Sequence, residues 1–346
     1  MSDYFKRVQS QTRTRFWINN VTVNEAHMAI AAGVVGCTQN PSYSWKILNG
    51  ADRDFALGLI DQYIDEGLSN DDVLVKLQRT LVERIAEIFM PMYEASHGKL
   101  GYVSIQGNPF REDAVSIVNY GRFNREKYPN IMIKVPVTVD GLEAIDTLLH
   151  EGAPINATEV MAVRQAVDLC HVYEKAAASI EHPPVTYYSH IAGIFDEHLK
   201  ATVESAHIDI SPDVLWQAGI IVAKKVNQIT KTHWPEVGMI SGGARGLQHF
   251  TEMVGGDAAV TINWVGTADK LLEQDAPVVP RFTMPPAYEA IDELFTKLPD
   301  FRKAYFIDEI RPEEYESFGP VVRFRNSFES AWTKALAAIE ERRTNR

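Results

Sequence analysis

Short apolar segments alternate with longer amphipathic segments along the whole chain. This order is typical of parallel strands joined by crossover helices. The first four and the sixth of the short segments are almost continuously apolar or β-branched, as expected for strands buried on both faces. The predicted strands are Arg15–Asn19, Gly33–Thr38, Tyr102–Gln106, Ile131–Val135, Pro154–Thr158, Val185–His190, Gly238–Ser241 and Ala258–Trp264.

The longer segments repeat apolar residues at helical spacing. The segment Asp52–Ala95 is too long for one crossover helix, so we expect two or three helices there, one of them beginning near Ser69 and Asn70. Helices are predicted at Asn24–Ala32, Asp71–Ala95, Val139–His150, Ala162–Ala178 and Pro212–Ile229. Eight strands with helices between them predict an α/β fold, the (β/α)8 or TIM barrel.

The chain length of 346 residues is compatible with one barrel that carries insertions. We therefore expect residues 1–346 to form a single domain. Beyond the last strand the sequence is rich in proline and then predicts a helical tail ending in Ala331–Arg343. Residues 281–346 are thus predicted to be a C-terminal helical extension, either packed on the outside of the barrel or placed as a lid over the active site.

Composition narrows the classes of function. The chain has 45% hydrophobic and 23% charged residues, typical of a globular protein, and its net charge of −12 argues against nucleic-acid binding. Two cysteines, Cys37 and Cys170, favour a reducing compartment, so we expect a cytoplasmic protein. The segment Met1–Arg15 lacks the apolar core of a signal peptide, and no later run predicts a membrane span. Motifs for metals and glycine-rich phosphate loops are also missing, so neither a metal nor an organic cofactor is expected.

Active-site residues of a (β/α)8 barrel lie at the carboxyl ends of its strands. Lys134 is unusual there, because it lies within an apolar strand where a charged amine is costly. Burial lowers the pKa of a lysine, and a neutral amine can attack a carbonyl to form an imine. The alternative is a lysine whose amine reaches water or pairs with an acid, and the pattern alone leaves both open. The residues at or just beyond the strand ends are Asn19, Thr38, Asn40, Gln106, Lys134, Thr158, His190, Ser241–Arg245 and Trp264.

Several segments resemble the transaldolase family, including its fructose-6-phosphate aldolase members, in both order and spacing. The most specific is the run 131–138, IMIKVPVT, followed by DGLEAI at 140–145. The others are FWIN at 16–19, CTQNPS at 37–42, GYVSIQ at 101–106, INAT at 155–158 and PVVRF at 320–324. The resemblance covers nearly the whole chain and implies the same barrel fold.

By position, the resemblance implies that Lys134 is the Schiff-base lysine, that Thr158 helps to place the catalytic water and that Asn40 binds a hydroxyl of the ketose. Structural alternatives remain for two of them: strand-end hydrogen bonding for Thr158 and an Asn-Pro turn for Asn40. The substrate would be a small sugar or sugar phosphate, and a homodimer is one option for assembly. The residues predicted to bind substrate are Asn40, Thr38, Ser189, Ser241, Gly243 and Arg245.

The chain departs from the family pattern at several positions. Asn19 stands where the family usually has aspartate, and Gln106 where many transaldolases have glutamate and fructose-6-phosphate aldolases have glutamine. Neither amide can exchange a proton at working pH. Ile194 replaces an arginine that binds phosphate, and Gly243 replaces a serine, whereas Arg245 matches the second arginine. We therefore expect altered substrate specificity or altered acid-base chemistry.

A titratable group must then replace the missing acid. We predict His190, at the end of the sixth strand, as the proton shuttle. The alternatives are a structural histidine and a proton relay through water held by Gln106 and Thr158. Glu159, Tyr187 and Asp196 rank lower, because strand alternation leaves the direction of their side chains uncertain. The main hypothesis is a class I transaldolase or aldolase of carbohydrate metabolism, related to the pentose phosphate pathway. The alternative is a sugar-binding or regulatory barrel with attenuated turnover.

Overall fold

The computed structural model describes residues 2–346, in which eight parallel strands close into one barrel. Each strand pairs with the next along the chain, and β8 returns to pair with β1. The strands are β1 (Arg15–Asn19), β2 (Gly36–Thr38), β3 (Val103–Gln106), β4 (Ile131–Pro136), β5 (Ile155–Val160), β6 (Thr186–His190), β7 (Gly238–Ser241) and β8 (Ala259–Ile262). All eight predicted strands and the predicted (β/α)8 fold are confirmed.

One helix precedes the first strand, and the others lie between the strands and after the last of them. Short irregular turns at Trp264–Ala268 and Pro312–Glu314 complete the backbone. The helices are α1 (Tyr4–Gln11), α2 (Val23–Ala32), α3 (Tyr43–Leu48), α4 (Arg53–Asp65), α5 (Asn70–Ala95), α6 (Ala114–Arg125), α7 (Val139–His150), α8 (Val163–Ala177), α9 (Ala192–Ala206), α10 (Pro212–Leu215), α11 (Ala218–His233), α12 (Gln248–Thr251), α13 (Asp269–Gln274), α14 (Tyr288–Lys297), α15 (Pro299–Tyr305) and α16 (Gly319–Thr344).

Local side-chain chemistry sets several of these boundaries. Thr22 and Glu25 form a capping box at the start of α2, and Gly33 ends that helix in the left-handed region with a φ of 107°. This cap explains why β2 begins at Gly36 and not at the predicted Gly33. Ser69 caps α5 by accepting a hydrogen bond from the backbone N–H of Asp72, so the predicted capped start is confirmed.

One predicted helix, Pro212–Ile229, proved to be two. The chain leaves α10 at Leu215 and begins α11 at Ala218. The first turn of α11 is held by a hydrogen bond from the backbone N–H of Gly219 to Asp196, 2.6 Å long. A Cβ at Gly219 would lie 2.3 Å from the carbonyl oxygen of Ala192, so only glycine permits this approach.

The barrel interior is layered. Its lower layer is the apolar cluster of Trp17, Tyr102, Met132, Ile240 and Ala259, all inward-facing strand residues. Because side chains alternate along a strand, the residues two positions later point inward at the carboxyl ends. The apolar layer therefore closes the barrel below the polar rim where the predicted site residues lie.

The C-terminal helices pack on the barrel. Phe328, Trp332 and Ile339 of α16 are buried in the same hydrophobic cluster as the barrel helices, which supports our proposal that residues 1–346 form one domain. Cys37 and Cys170 are buried free thiols. Across residues 2–346 we find no helix of the length and apolarity needed to cross a membrane.

Candidate active site

The carboxyl ends of the strands surround a polar cavity of about 440 Å³. Helix α16 contributes Phe324, Ser327 and Phe328 to its wall, so part of the C-terminal extension borders the cavity. Seven of the predicted site residues line the cavity: Asn19, Thr38, Asn40, Lys134, Ser189, Gly243 and Arg245.

Lys134 lies in the wall of this cavity with only 6% of its surface exposed. Burial lowers its pKa to about 8, although the negative charges of Glu159 and Glu112 oppose that shift. Its Nζ lies 5.7 Å from the centre of the Phe328 ring, which helps to exclude water. A lysine with this pKa is neutral in a useful fraction of molecules near neutral pH, as a nucleophilic amine must be.

Gln106 connects two acids beside Lys134, its register partner on the adjacent strand. Its amide Nε2 donates to Glu112 and to Glu159, and both N···O distances are 3.1 Å. Both hydrogens of the amide are thereby used, which fixes its orientation. The predicted residue Gln106 is thus close to Lys134. It positions the carboxyl groups of Glu112 and Glu159 and does not itself act as an acid or base.

An irregularity of β5 places Glu159 in this group. The pairing of β5 with β6 shifts register between Ala157 and Val160, and Glu159 has a left-handed φ of 62°. Such a backbone costs a residue with a side chain roughly 1–2 kcal/mol. The bulge lets Glu159 reach Gln106, although the preceding residue, Thr158, occupies the inward position.

The two carboxyl groups hold protons more tightly than ordinary acids. Burial raises the pKa of Glu159 to about 7, against the lowering effects of the Gln106 hydrogen bond and the Lys134 charge. Burial and the charge of Glu159 also raise the pKa of Glu112 well above its usual value. Since two carboxylates in one buried site repel each other, we expect the pair to retain a proton at neutral pH.

Thr158 is fully buried and pairs in register with Pro136 of β4. Its hydroxyl Oγ1 has no hydrogen-bond partner among residues 2–346, and the same is true of Gln106 Oε1 and Glu159 Oε2. Buried polar atoms in folded proteins are nearly always satisfied, often by ordered water. Each of these three atoms is therefore left to bind an ordered water molecule.

Asn156 is held rigidly on the other side of Lys134. Its amide donates to Ser104 Oγ at 3.2 Å and its Oδ1 accepts from Ser189 Oγ at 2.7 Å. Register pairing places Asn156 directly opposite Lys134 on β5. The predicted substrate-binding residue Ser189 is therefore both a cavity residue and a support for this amide.

Asn19 belongs to a neutral hydrogen-bond network. Its Nδ2 donates to Asn263 Oδ1, and its Oδ1 accepts from the hydroxyl of Thr38, each at 3.0 Å. The Thr38 hydroxyl also contacts that of Thr261 at 2.8 Å. Three amide and hydroxyl groups thus surround Asn19, and none of these groups can act as a general base at neutral pH.

Asn40 faces the cavity but also has a structural role. Its Oδ1 accepts from the Asn20 amide at 2.9 Å and from the backbone N–H of Ser42 at 3.0 Å. The second bond is the Asx turn expected of an Asn-Pro segment. The structural alternative for Asn40 is therefore present, and substrate binding would be an additional role.

The region expected to bind phosphate is already neutralised. Arg245 Nε lies 2.6 Å from Glu197, which also accepts from Arg323 of α16 at 2.8 Å. Ile194 is buried, and a Cβ at Gly243 would lie 3.0 Å from its side chain. Gly243 also has a φ of 69°, so a serine at this position would be both strained and crowded.

Some predicted residues lie away from the cavity. Ile240 and Ser189 point into the barrel, so alternation turns their neighbours Ser241 and His190 outward, and neither belongs to the cavity wall. His190 is fully buried, and burial together with the charge of His249 lowers its pKa to about 3. The structure therefore does not bring the predicted proton shuttle to Lys134.

Of the lower-ranked candidates, Tyr187 lies in the lower layer, where its ring centre is 5.4 Å from that of Trp17. Asp196 pairs with His249 at 2.9 Å and supports the loop of Arg245. Only Glu159 joins the Lys134 group. Within residues 2–346, no three or more His, Cys, Asp or Glu side chains are grouped so as to hold a metal ion.

Sequence reasoning missed Glu112, Phe328 and the Glu197–Arg323 pair. Glu112 lies in the loop after β3, six residues beyond Gln106. Its position could have indicated a site residue, because the loops after the strands build the active site of a (β/α)8 barrel. Glu197 and Arg323 are separated by 126 positions in sequence, so no local pattern could connect them.

The comparisons with known proteins agree with this architecture. Residues 16–317 match the family model described as Transaldolase/Fructose-6-phosphate aldolase. A transaldolase of Saccharopolyspora erythraea is 33% identical over 157 residues, which are 43% of this chain and 41% of that protein. A transaldolase of Trichodesmium erythraeum is 27% identical over 218 residues, covering 54% of this chain and 55% of that protein.

A transaldolase of Acidothermus cellulolyticus is 27% identical over 223 residues, which are 60% of this chain and 58% of that protein. The chain thus matches roughly 40 to 60% of the length of these relatives. The family model covers most of the chain, from β1 to beyond β8. The chain belongs to the transaldolase/fructose-6-phosphate aldolase family.

Proposed function

We propose that this protein is a class I aldolase or transaldolase that forms a Schiff base between Lys134 and a small ketose. One observation carries the proposal: Lys134 is nearly buried in the wall of a polar cavity, with a pKa lowered to about 8. At pH 7.5 roughly a quarter of such amines are neutral, against roughly a thousandth for an ordinary lysine. Family membership supports the same chemistry.

The reaction would begin with attack of neutral Lys134 Nζ on the ketose carbonyl. Loss of water gives an iminium, which accepts electrons when a base removes the C4 hydroxyl proton and the C3–C4 bond breaks. An aldehyde leaves, and a three-carbon enamine remains on the lysine. Attack of the enamine on a second aldehyde is transaldolase activity, whereas its protonation and hydrolysis is aldolase activity.

The hydroxyls of a neutral sugar fit the lining of the cavity. Asn19, Thr38, Asn40 and Ser189 present amides and hydroxyls that can both donate and accept hydrogen bonds. The two other cations of the wall are paired, Lys46 with Glu25 at 3.0 Å and Arg245 with Glu197 at 2.6 Å. We therefore propose that the protein prefers a ketose with a weakly held phosphate or with none.

The proposal predicts a reducible adduct on Lys134. Incubation with dihydroxyacetone and borohydride should add one reduced three-carbon unit to the intact mass, and peptide mapping should place it on Lys134. Lys134→Arg should abolish the adduct, whereas Lys46→Arg, a change in the same cavity wall, should retain it. An adduct that survives Lys134→Arg would refute the assignment.

A sugar-binding barrel with attenuated turnover is the second candidate. It is favoured by the neutral network around Asn19, which offers no acid at the end of β1. Imine trapping separates the two poorly, because an unproductive pocket can still form an imine. Turnover on a panel of ketose and aldehyde pairs separates them, since only an enzyme releases aldehyde in amounts exceeding its own concentration.

A further inference from the structure

We propose that Glu159 is the carboxyl group that exchanges protons with the Lys134 adduct, through a water molecule held by Thr158 and Gln106. This inference rests on the proposed Schiff-base function. It assigns proton exchange to a residue of β5, because the amides of Asn19 and Gln106 at the ends of β1 and β3 cannot titrate.

The geometry around Gln106 supports this assignment. Its Nε2 donates to both Glu112 and Glu159, so its Oε1 is left to accept a hydrogen bond from elsewhere. Gln106 Oε1, Thr158 Oγ1 and Glu159 Oε2 are all buried without partners among residues 2–346. A water molecule there can accept from protonated Glu159 and from the Thr158 hydroxyl, donate to Gln106 Oε1, and keep one O–H to donate to the Lys134 adduct.

The backbone supports the assignment independently. Glu159 adopts a left-handed conformation at a bulge, a strained arrangement that proteins retain mainly where a side chain must be redirected. Without the register shift, alternation would turn the side chain after Thr158 away from the barrel interior. The bulge instead directs it to the amide of Gln106, which is the register partner of Lys134.

The electrostatic environment makes proton exchange feasible. The charged groups that act on Glu159 are Lys134 of β4, Glu112 of the loop after β3, and Arg325 and Glu329 of α16. The pKa of Glu159 is about 7 and that of Lys134 about 8. Near neutral pH the Glu159 carboxyl can therefore both give and accept a proton.

The proposed step is balanced. Protonated Glu159 gives its proton, through the bound water, to the hydroxyl of the carbinolamine formed on Lys134. The C–O bond breaks, water leaves, and the nitrogen lone pair forms the C=N bond of the iminium. Carboxylate and iminium then face each other, and in hydrolysis the carboxylate takes a proton from the water that adds to the iminium.

The test is the rate of imine formation with dihydroxyacetone, quenched by borohydride and followed by intact mass across pH 5 to 9. We expect Glu159→Gln to slow imine formation by roughly 10²- to 10⁴-fold. The substitution should also remove the change of rate near pH 7, called the pH 7 limb, from the pH–rate profile. A purely electrostatic role predicts the opposite change. The Glu159 charge raises the pKa of Lys134, so its removal alone would leave more neutral amine and speed the attack.

Two further variants sharpen the experiment. The double variant Gln106→Glu, Glu159→Gln preserves one carboxyl and one amide. It should form the imine at least tenfold faster than the single variant Glu159→Gln. Glu329→Gln removes a nearby charge that raises the pKa of Glu159 without touching Gln106, so it should keep the rate and move the limb to lower pH. If Glu159→Gln does not fold, the rate of imine formation in the double variant Gln106→Glu, Glu159→Gln tests the proposal in its place.

The outcomes separate this inference from the proposed function. Wild-type protein that gives no adduct on Lys134 would contradict the Schiff-base function itself. Wild-type protein that gives the adduct, together with Glu159→Gln reacting within about threefold of it and keeping the limb near pH 7, would overturn only the role of Glu159.

Discussion

Burial of the Lys134 amine destabilises the fold. Lys134 has a pKa of about 8 in the folded chain and about 10.5 when unfolded, so folding disfavours its charged form. The unfolded state binds more protons between these values, and stability therefore rises with pH from about 8 to 10.5. Below pH 8 the full cost is present, on the order of 3 kcal/mol.

Replacing this amine with an apolar side chain of similar length should therefore stabilise the protein. We predict that Lys134→Met raises the free energy of unfolding by roughly 1–3 kcal/mol at pH 7, with a gain that shrinks toward pH 10.5. Denaturant titration at both pH values measures it. Lys200→Met, at a lysine whose side chain is 69% exposed, should change stability by less than about 0.5 kcal/mol. A less stable Lys134→Met would show that the amine is satisfied where it lies.

The arginine of the expected phosphate site is held by an acid. Because Glu197 pairs with both Arg245 and Arg323, an incoming phosphate must displace a carboxylate. We predict weak inhibition of imine formation by inorganic phosphate and about tenfold tighter inhibition in Glu197→Gln. Titration with phosphate in the dihydroxyacetone assay measures both. Tight inhibition of the wild type that is unchanged by Arg245→Ala would contradict the prediction.

Residue identity could be predicted here better than residue direction. Lys134 follows from a charged residue in an apolar strand, and its family resemblance names it. His190 ends a strand equally well, yet Ser189 takes the inward position and turns it away. Glu159 ranked below His190 because of the same alternation, since a bulge that depends on the pairing of β5 and β6 leaves no mark in the sequence.

At the scale of elements, periodic segments predicted the barrel well. Near-continuous apolar strands and amphipathic helices are local properties, and both the strands and α7 were predicted within a few residues. The predicted helix Pro212–Ile229 failed because Gly219 is held by Asp196 of α9, a contact between distant parts of the chain. The sequence left two placements for the C-terminal tail, outside the barrel or over the active site, for a related reason. A helical pattern shows which residues are buried but not against which partner.

The packing of α16 predicts an effect on the chemistry. Phe328 is buried with its ring 5.7 Å from Lys134 Nζ, so it both excludes water and offers a weak cation–π contact. Burial is the larger influence on the pKa of Lys134. Phe328→Ala should therefore admit water, raise that pKa and shift the pH dependence of imine formation to higher pH.

A matched core substitution separates this effect from lost stability. Phe301 of α15 is also fully buried, and both Phe→Ala changes should cost about 3–5 kcal/mol. Only Phe328→Ala should move the pH profile. A shift to lower pH in Phe328→Ala would mean that the cation–π contact outweighs the exclusion of water.

The whole molecule carries a net charge of −12, which acts on any charged substrate before it reaches the cavity. The cations Lys46 and Arg245 do not offset this field locally, since Glu25 and Glu197 neutralise them. A ketose that carries a phosphate should therefore approach against repulsion. A neutral ketose should be indifferent to the charge of the protein.

Ionic strength should distinguish the two substrates. The Debye length falls from about 30 Å at 0.01 M salt to about 8 Å at 0.15 M, so salt screens the distant surface charges. We predict that the second-order rate of imine formation rises severalfold over this range with a phosphorylated ketose and stays constant with dihydroxyacetone. Both follow from borohydride-quenched mass measurements at low substrate concentration. A rate that falls with salt for the phosphorylated ketose would contradict the prediction. It would mean that the attraction of Arg245 or Arg323 for the phosphate outweighs the repulsion by the net negative charge, so that screening removes a net attraction.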